Sequence, residues 1–170
     1  MSESQKLILI GDTRIGKTLV LRHLCTEDAA SLPVQSPTPT IFDKYVYKNL
    51  EVYDTPGSAE CESLRALAYR DALNTSQSGS LPAFLLCYSK TDENSLYNIV
   101  EHWVPEIHRY MGSGTVITKP KLFLLGIRHH GRFPSFQTLP EELSDEIEPK
   151  EIETISRRIN ASGKFEIHIK

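Results

Sequence analysis

Eight residues, Gly11-Asp12-Thr13-Arg14-Ile15-Gly16-Lys17-Thr18, have the types and spacing needed to grip a phosphate chain. They fit G-x-x-x-x-G-K-[ST], the phosphate-cradling loop. Glycines let the backbone turn its N–H groups inward on phosphate oxygens, and a following helix adds the positive end of its dipole. In such a loop Lys17 reaches the β- and γ-phosphates, and the Thr18 hydroxyl ligates Mg²⁺. Asp12, Thr13, Arg14, Ile15, Gly16 and Leu19 complete the expected nucleotide-contacting set. A second cluster, Asp54-Thr55-Pro56-Gly57, lies downstream. An acidic residue closing a strand is placed to hold Mg²⁺ through water, and the Gly57 N–H is placed to meet a γ-phosphate.

These residues need a scaffold, and the flanking patterns supply one. Lys6-Leu7-Ile8-Leu9-Ile10 reads as a buried parallel strand, and Leu19 to Leu24 has apolar residues at helical spacing. Leu24 to Pro39 is polar and carries Pro33, Pro37 and Pro39, the signature of a loop. Tyr45 to Tyr47 and Leu50 to Tyr53 read as strands joined by a tight turn at Lys48-Asn49. Asn74 to Ser80 is a polar stretch expected to be a disordered insertion. Ala83 to Ser89 and Leu122 to Gly126 read as buried strands. Asp92 to Tyr110 reads as a helix capped by Asp92 and kinked at Pro105. Phe133 to Glu148 is irregular and acidic; Pro149 then opens a helix to about Asn160, and Phe165 to Ile169 forms a last strand. Strands alternating with helices give an α/β architecture, a mostly parallel sheet with its ligand at the strands' carboxyl ends.

Length and composition narrow the function classes. The chain of 170 residues suits a single domain, with 39% hydrophobic and 24% charged residues as in ordinary water-exposed folds. A net charge of -3 gives no bulk attraction for nucleic acid or an acidic membrane. Cys25, Cys61 and Cys87 are widely spaced and odd in number, which suits a reducing, cytoplasmic setting. Neither a spanning segment, a signal-peptide pattern nor a lipidation cysteine is visible in the given sequence. Histidines at 102 and 108, six apart, and the neighbours His129 and His130 lack chelating spacing. Basic residues do not cluster with aromatics, which speaks against nucleic-acid recognition.

The motifs at Gly11–Thr18, Pro39-Thr40-Ile41-Phe42-Asp43-Lys44-Tyr45 and Asp54–Gly57, in this order, resemble a small GTPase of the Ras superfamily. The second of them is most similar to switch I of the Rho/Rac/Cdc42 family. Arg65-Ala66-Leu67-Ala68-Tyr69, Phe84 to Ser89 and Trp103-Val104-Pro105-Glu106-Ile107 carry the same likeness. The resemblance implies the P-loop small-GTPase fold, a six-stranded sheet flanked by helices. It implies GTP and Mg²⁺ as ligands, and Thr40 as a second metal ligand that senses the γ-phosphate. It implies effector proteins meeting Phe42, Asp43 and Tyr45, and a monomer. It also places the start of a final helix at Lys170, so the sequence reads as part of a longer protein, with membrane association supplied by a missing tail or a partner.

The sequence departs from that family where chemistry is done. The glutamine that orients the attacking water is replaced by Ser58, as in the Rnd branch of Rho proteins, and no other catalytic residue is assigned. Thr13 is branched where the family keeps a small residue, and Pro56 stiffens the next segment. Glu60 or Glu62 is the alternative water-positioning group. The base-reading N/T-K-x-D falls on Ile127-Arg128-His129-His130: Arg128 keeps a flat cation able to stack on a base, while His130 supplies no carboxylate. The later S-A-K falls on His168-Ile169-Lys170, and Leu32-Pro33 stand where an aromatic would stack. The sequence therefore supports an atypical Rho-like GTP-binding protein with hydrolysis slow or absent. The alternative is a nucleotide-free pseudo-GTPase serving as an interaction module.

Overall fold

The computed structural model describes residues 5–25, 43–74, 81–112, 119–129 and 146–169. Six strands form one sheet in the order β2-β3-β1-β4-β5-β6. They are β1 (Gln5–Ile10), β2 (Asp43–Tyr47), β3 (Leu50–Asp54), β4 (Ala83–Ser89), β5 (Leu122–His129) and β6 (Gly163–Ile169). Only the β2–β3 pair is antiparallel; the others run parallel. Lys48, with φ 54°, sits in the two-residue turn of that hairpin, where the sequence put it.

The helices are α1 (Lys17–Cys25), α2 (Glu62–Asn74), α3 (Glu93–Asn98), α4 (Val104–Met111) and α5 (Pro149–Arg158), with a short 3-10 turn at Ala59–Cys61. Alternation along the inner strands splits their side chains between two cores. Ile8, Ile10, Phe84, Leu86 and Leu124 face Leu96, Ile99, Ile107, Ile152 and Ile155. Leu9, Val52, Cys87, Leu125 and Ile127 face Val20 and Leu21 of α1. Burying each such aliphatic side chain contributes roughly 1.5–3 kcal/mol, so the central strands hold the carboxyl-end loops on a stiff base.

Asp92 caps α3 by accepting from the Asn94 N–H at 3.1 Å, as its sequence position predicts. The expected kink at Pro105 takes another form. A π turn, Ile99–Trp103, separates α3 from α4, and the Val104 N–H donates back to the Ile99 carbonyl. Pro105 lacks the N–H an α-helix needs, and it directly follows the π turn at the start of α4. Pro149 opens α5 after the extended Glu148, where no N–H is required. Segments 26–42, 75–80 and 130–145, which hold the expected loop, the polar insertion and most of the acidic stretch, lie outside the described residues.

Candidate functional site

β1 ends at Ile10 and α1 begins at Lys17; residues 11–16 between them belong to neither helix nor strand. Gly11, Arg14 and Gly16 take positive φ values of 150°, 66° and 100°. Backbone turned at such positions can aim N–H groups into one concavity of the kind that holds anions, a nest. Gly11 could not be another residue, because a Cβ there would lie 2.3 Å from the Cys87 carbonyl oxygen.

Lys17 is buried and folded back over the loop. Its Nζ donates to the carbonyls of Gly11 (2.8 Å) and Asp12 (2.7 Å). Burial holds the ammonium below its usual pKa, and the charges of Asp54 and Asp12 pull in the opposite direction. An anion arriving in the nest would pull the same way, so the lysine sits where added negative charge is stabilised most.

The β3 terminus meets the loop from the other side. The Thr18 hydroxyl donates to Asp54 Oδ2 at 2.6 Å, and Asp54 is fully buried. The Thr55 hydroxyl donates to the Leu9 carbonyl at 2.5 Å, fixing the chain that follows Asp54 against β1. These are hard oxygen donors, a hydroxyl beside a carboxylate, which suits Mg²⁺ completed by waters and phosphate oxygens. Gly57 rests on the phosphate loop itself: a Cβ there would meet the Asp12 carbonyl carbon and the Thr13 nitrogen, each at 2.4 Å. Lys17, Thr18, Asp54 and Gly57 thus all lie in or against the loop of residues 11–18. Thr13 and Arg14 are exposed on the loop, Ile15 is buried beneath it, and Leu19 is half-buried on α1.

Residues 56–58 are held from below by Arg65, which is 1% exposed. Its Nη1 donates to the carbonyls of Pro56 (3.0 Å) and Ser58 (2.5 Å). Its Nε and Nη2 donate to Glu106 Oε1 and Oε2, each at 2.8 Å, and its guanidinium lies 4.8 Å from the Trp103 ring centroid. The Tyr69 hydroxyl adds a 2.6 Å bond to Glu106, and burial first, then the Glu106 charge, pushes its pKa up. Burial works against the Arg65 charge, but the hydrogen bond and charge of Glu106 more than offset it and hold the guanidinium above its usual pKa.

Sequence reasoning missed a further set. The Asp12 carboxylate points away from the nest, accepting from Asn98 Nδ2 at 2.7 Å and from Trp103 Nε1 at 2.8 Å. An acidic residue inside an anion-binding loop was the signal that it needed outside partners.

The ends of β4, β5 and β6 hold a different chemistry. Lys90, 7% exposed, pairs with Glu166 (2.7 Å) and Glu146 (3.1 Å), and Arg128 pairs with Glu146. The Ile147 N–H donates to the Lys90 carbonyl at 2.9 Å, which ties the segment before α5 to the end of β4. The Arg128 cation, expected to stack on a base, is therefore engaged by a carboxylate. His168 lies opposite Arg128 in register and is exposed. Thr40, Phe42, His130 and Lys170 lie outside the described residues; Asp43 is exposed and Tyr45 half-buried on β2. His102 and His108 are exposed on the helix surface. Among the described residues no group of three His, Cys, Asp or Glu could hold a metal.

A six-stranded sheet with one antiparallel edge pair, a nest at the end of β1 and a Thr–Asp oxygen pair beside it define a P-loop nucleotide-binding fold. The Ras family model matches residues 6–129. The chain belongs to the Ras superfamily of small GTPases and lies close to its Rho family. It is similar to the human "Rho-related GTP-binding protein RhoD", at 31% identity over 147 residues, 77% of this chain. The match spans 64% of RhoD's length. Members of the family as a class bind GTP and Mg²⁺. Among the described residues no helix is long and apolar enough to cross a membrane.

Proposed function

We propose that this chain is an atypical Rho-like GTP-binding protein that retains the triphosphate and hydrolyses it slowly or not at all. The observation that carries the reading is the convergence of Lys17, Thr18 and Asp54 on a nest with three positive φ values. In this reading the N–H groups of residues 12–18 hold phosphate oxygens, and Lys17 leaves its two carbonyls for the β- and γ-phosphates. Thr18 and Thr40 ligate Mg²⁺, Asp54 holds it through water, and Gly57 meets the γ-phosphate. A bound Mg²⁺ supplies charge neutralisation between the phosphates.

Turnover lacks a group to aim water. Ser58 occupies the glutamine position, and its side chain is too short for the role. Of the two alternatives, Glu62 is held toward α4 by Arg109 (2.6 Å) and Tyr110 (3.0 Å), while Glu60 is exposed in the 3-10 turn. Effectors would meet Phe42, Asp43 and Tyr45 while the γ-phosphate orders the flanking segments. The protein would act in the cytoplasm as a monomer, its regulation lying in abundance and partners.

A second reading, a nucleotide-free interaction module, draws on one observation: the cation at the base-stacking position, Arg128, is already paired with Glu146. Thermal denaturation with GTP and Mg²⁺ separates the two. The first reading expects a rise in melting temperature that Lys17→Ala reduces. No shift in the unaltered protein would favour the second.

A further inference from the structure

Asp12 presents a physical conflict. It sits in a loop whose backbone is shaped for anions, yet its carboxylate is itself an anion, and like charges disfavour one another at such range. The conflict is resolved by two neutral donors from outside the loop, Asn98 Nδ2 at 2.7 Å on Oδ2 and Trp103 Nε1 at 2.8 Å on Oδ1. Both lie more than eighty residues away, in the α3–π turn–α4 segment.

The helix is built to deliver them together. In a regular α-helix, residues five apart point about 140° away from each other, so Asn98 and Trp103 would not reach one carboxylate. The π turn at Ile99–Trp103 widens the spiral and brings both side chains to Asp12. Such turns recur at functional sites. Trp103 is itself fixed: it is 4% exposed, and its ring carries Arg65, which in turn holds the carbonyls of Pro56 and Ser58.

We infer that Asn98 and Trp103 are positioning residues for the phosphate loop. They hold the Asp12 carboxylate outward, so that the loop presents backbone N–H groups and no negative charge to a polyphosphate. The inference rests on the GTP-binding reading and deepens it. The same tryptophan links the loop to residues 56–58 through Arg65, so one side chain sets both walls of the site.

The test is the release rate of a fluorescent GTP analogue loaded with Mg²⁺ onto the full chain. Trp103→Phe keeps a ring under Arg65 and removes the indole donor together with some buried volume; it is expected to speed release about tenfold or more, in line with losing a hydrogen bond to a charged group. Asn98→Ala is expected to act in the same direction. The decisive arm is Asp12→Ala placed in the Trp103→Phe background. Release should slow again, because the charge that needed holding is gone; a merely structural loss would not be repaired. Melting temperature followed in parallel identifies any variant that fails to fold, and Asn98→Ala, which leaves the core ring in place, then carries the test. Unchanged release in both single variants, or a double variant as fast as Trp103→Phe alone, overturns the inference while leaving the GTP reading intact. An unaltered protein that takes up no analogue overturns both.

Discussion

The polar groups at the end of β1 and those beside the ends of β4 and β5 are built on opposite principles. Around the end of β1, polar side chains are held by buried and part-buried contacts: Lys17 on two carbonyls, Thr18 on Asp54, Asp12 on Asn98 and Trp103, Arg65 on Glu106. At the ends of β4 to β6, the charges compensate one another in a partly wet cluster of Lys90, Arg128, Glu146 and Glu166, whose glutamates are 34% and 50% exposed. The first arrangement fixes the loop between β1 and α1 from several sides. The second turns its cations toward the protein's own carboxylates.

Removing a single partner at the buried end should be costly. Glu106→Ala strands the Arg65 charge in a site where it is 1% exposed, and is expected to cost about 3–5 kcal/mol in urea unfolding. Replacing both members by apolar residues, Arg65→Met with Glu106→Leu, should recover much of that loss. A double variant no more stable than Glu106→Ala alone would show that the pair is not a self-contained unit.

Next in size is Lys17→Ala. Losing a charge-assisted contact costs roughly 1.5–3 kcal/mol, so triphosphate affinity should fall about 10- to 100-fold in titration calorimetry. Affinity that survives unchanged would place the ligand elsewhere.

The base end should respond more weakly. Lys90→Met trades a buried cation for an apolar stem, and its glutamate partners can turn to water; a change of about 1 kcal/mol or less is expected in thermal melts. With Arg128 engaged by Glu146, competition of GTP with ATP should give a preference below about 100-fold. A site with a committed hydrogen-bond acceptor reaches about 10⁴. Strong guanine preference would break the contrast between the two ends.

The smallest effect lies on the hairpin. Lys44 donates to Glu51 at 2.8 Å and holds its carboxyl below the ordinary value of 4.5. A depressed carboxylate stabilises above its ordinary pKa and loses that contribution as pH falls through the folded value. The pair is partly exposed, so Glu51→Gln should cost no more than about 0.5–1 kcal/mol near neutrality. The melting difference between the two proteins should close below about pH 4.

How far the sequence carried varies with the kind of information each part needs. Strands β1 and β4 and the turn at Lys48-Asn49 were legible because apolar runs and turn residues are local signals. The grip was legible for a similar reason: glycines, Lys17 and Thr18 stand at fixed offsets. Asp54 and Gly57 followed as a second local motif. The Asn98–Trp103–Asp12 contact was not legible, since it joins residues more than eighty positions apart through a π turn no periodicity announces. Pro105 signalled a disturbance in that helix, but its form, a widened turn ahead of the proline, depends on what the helix packs against. Arg65 and Glu106 could be read as family likeness, but their buried pairing needed three dimensions. Lys90 was also missed, because a lysine closing a strand looks like any solvated charge until Glu146 and Glu166 are seen on either side of it.

If the phosphate grip is kept and turnover is lost, GTP loaded onto the protein should stay there intact. The direct test is to load the purified chain with GTP and Mg²⁺, incubate it, denature it and separate the released nucleotide chromatographically. The account predicts close to one nucleotide per chain, recovered as GTP after hours. Recovery as GDP, or no nucleotide at all, would contradict it.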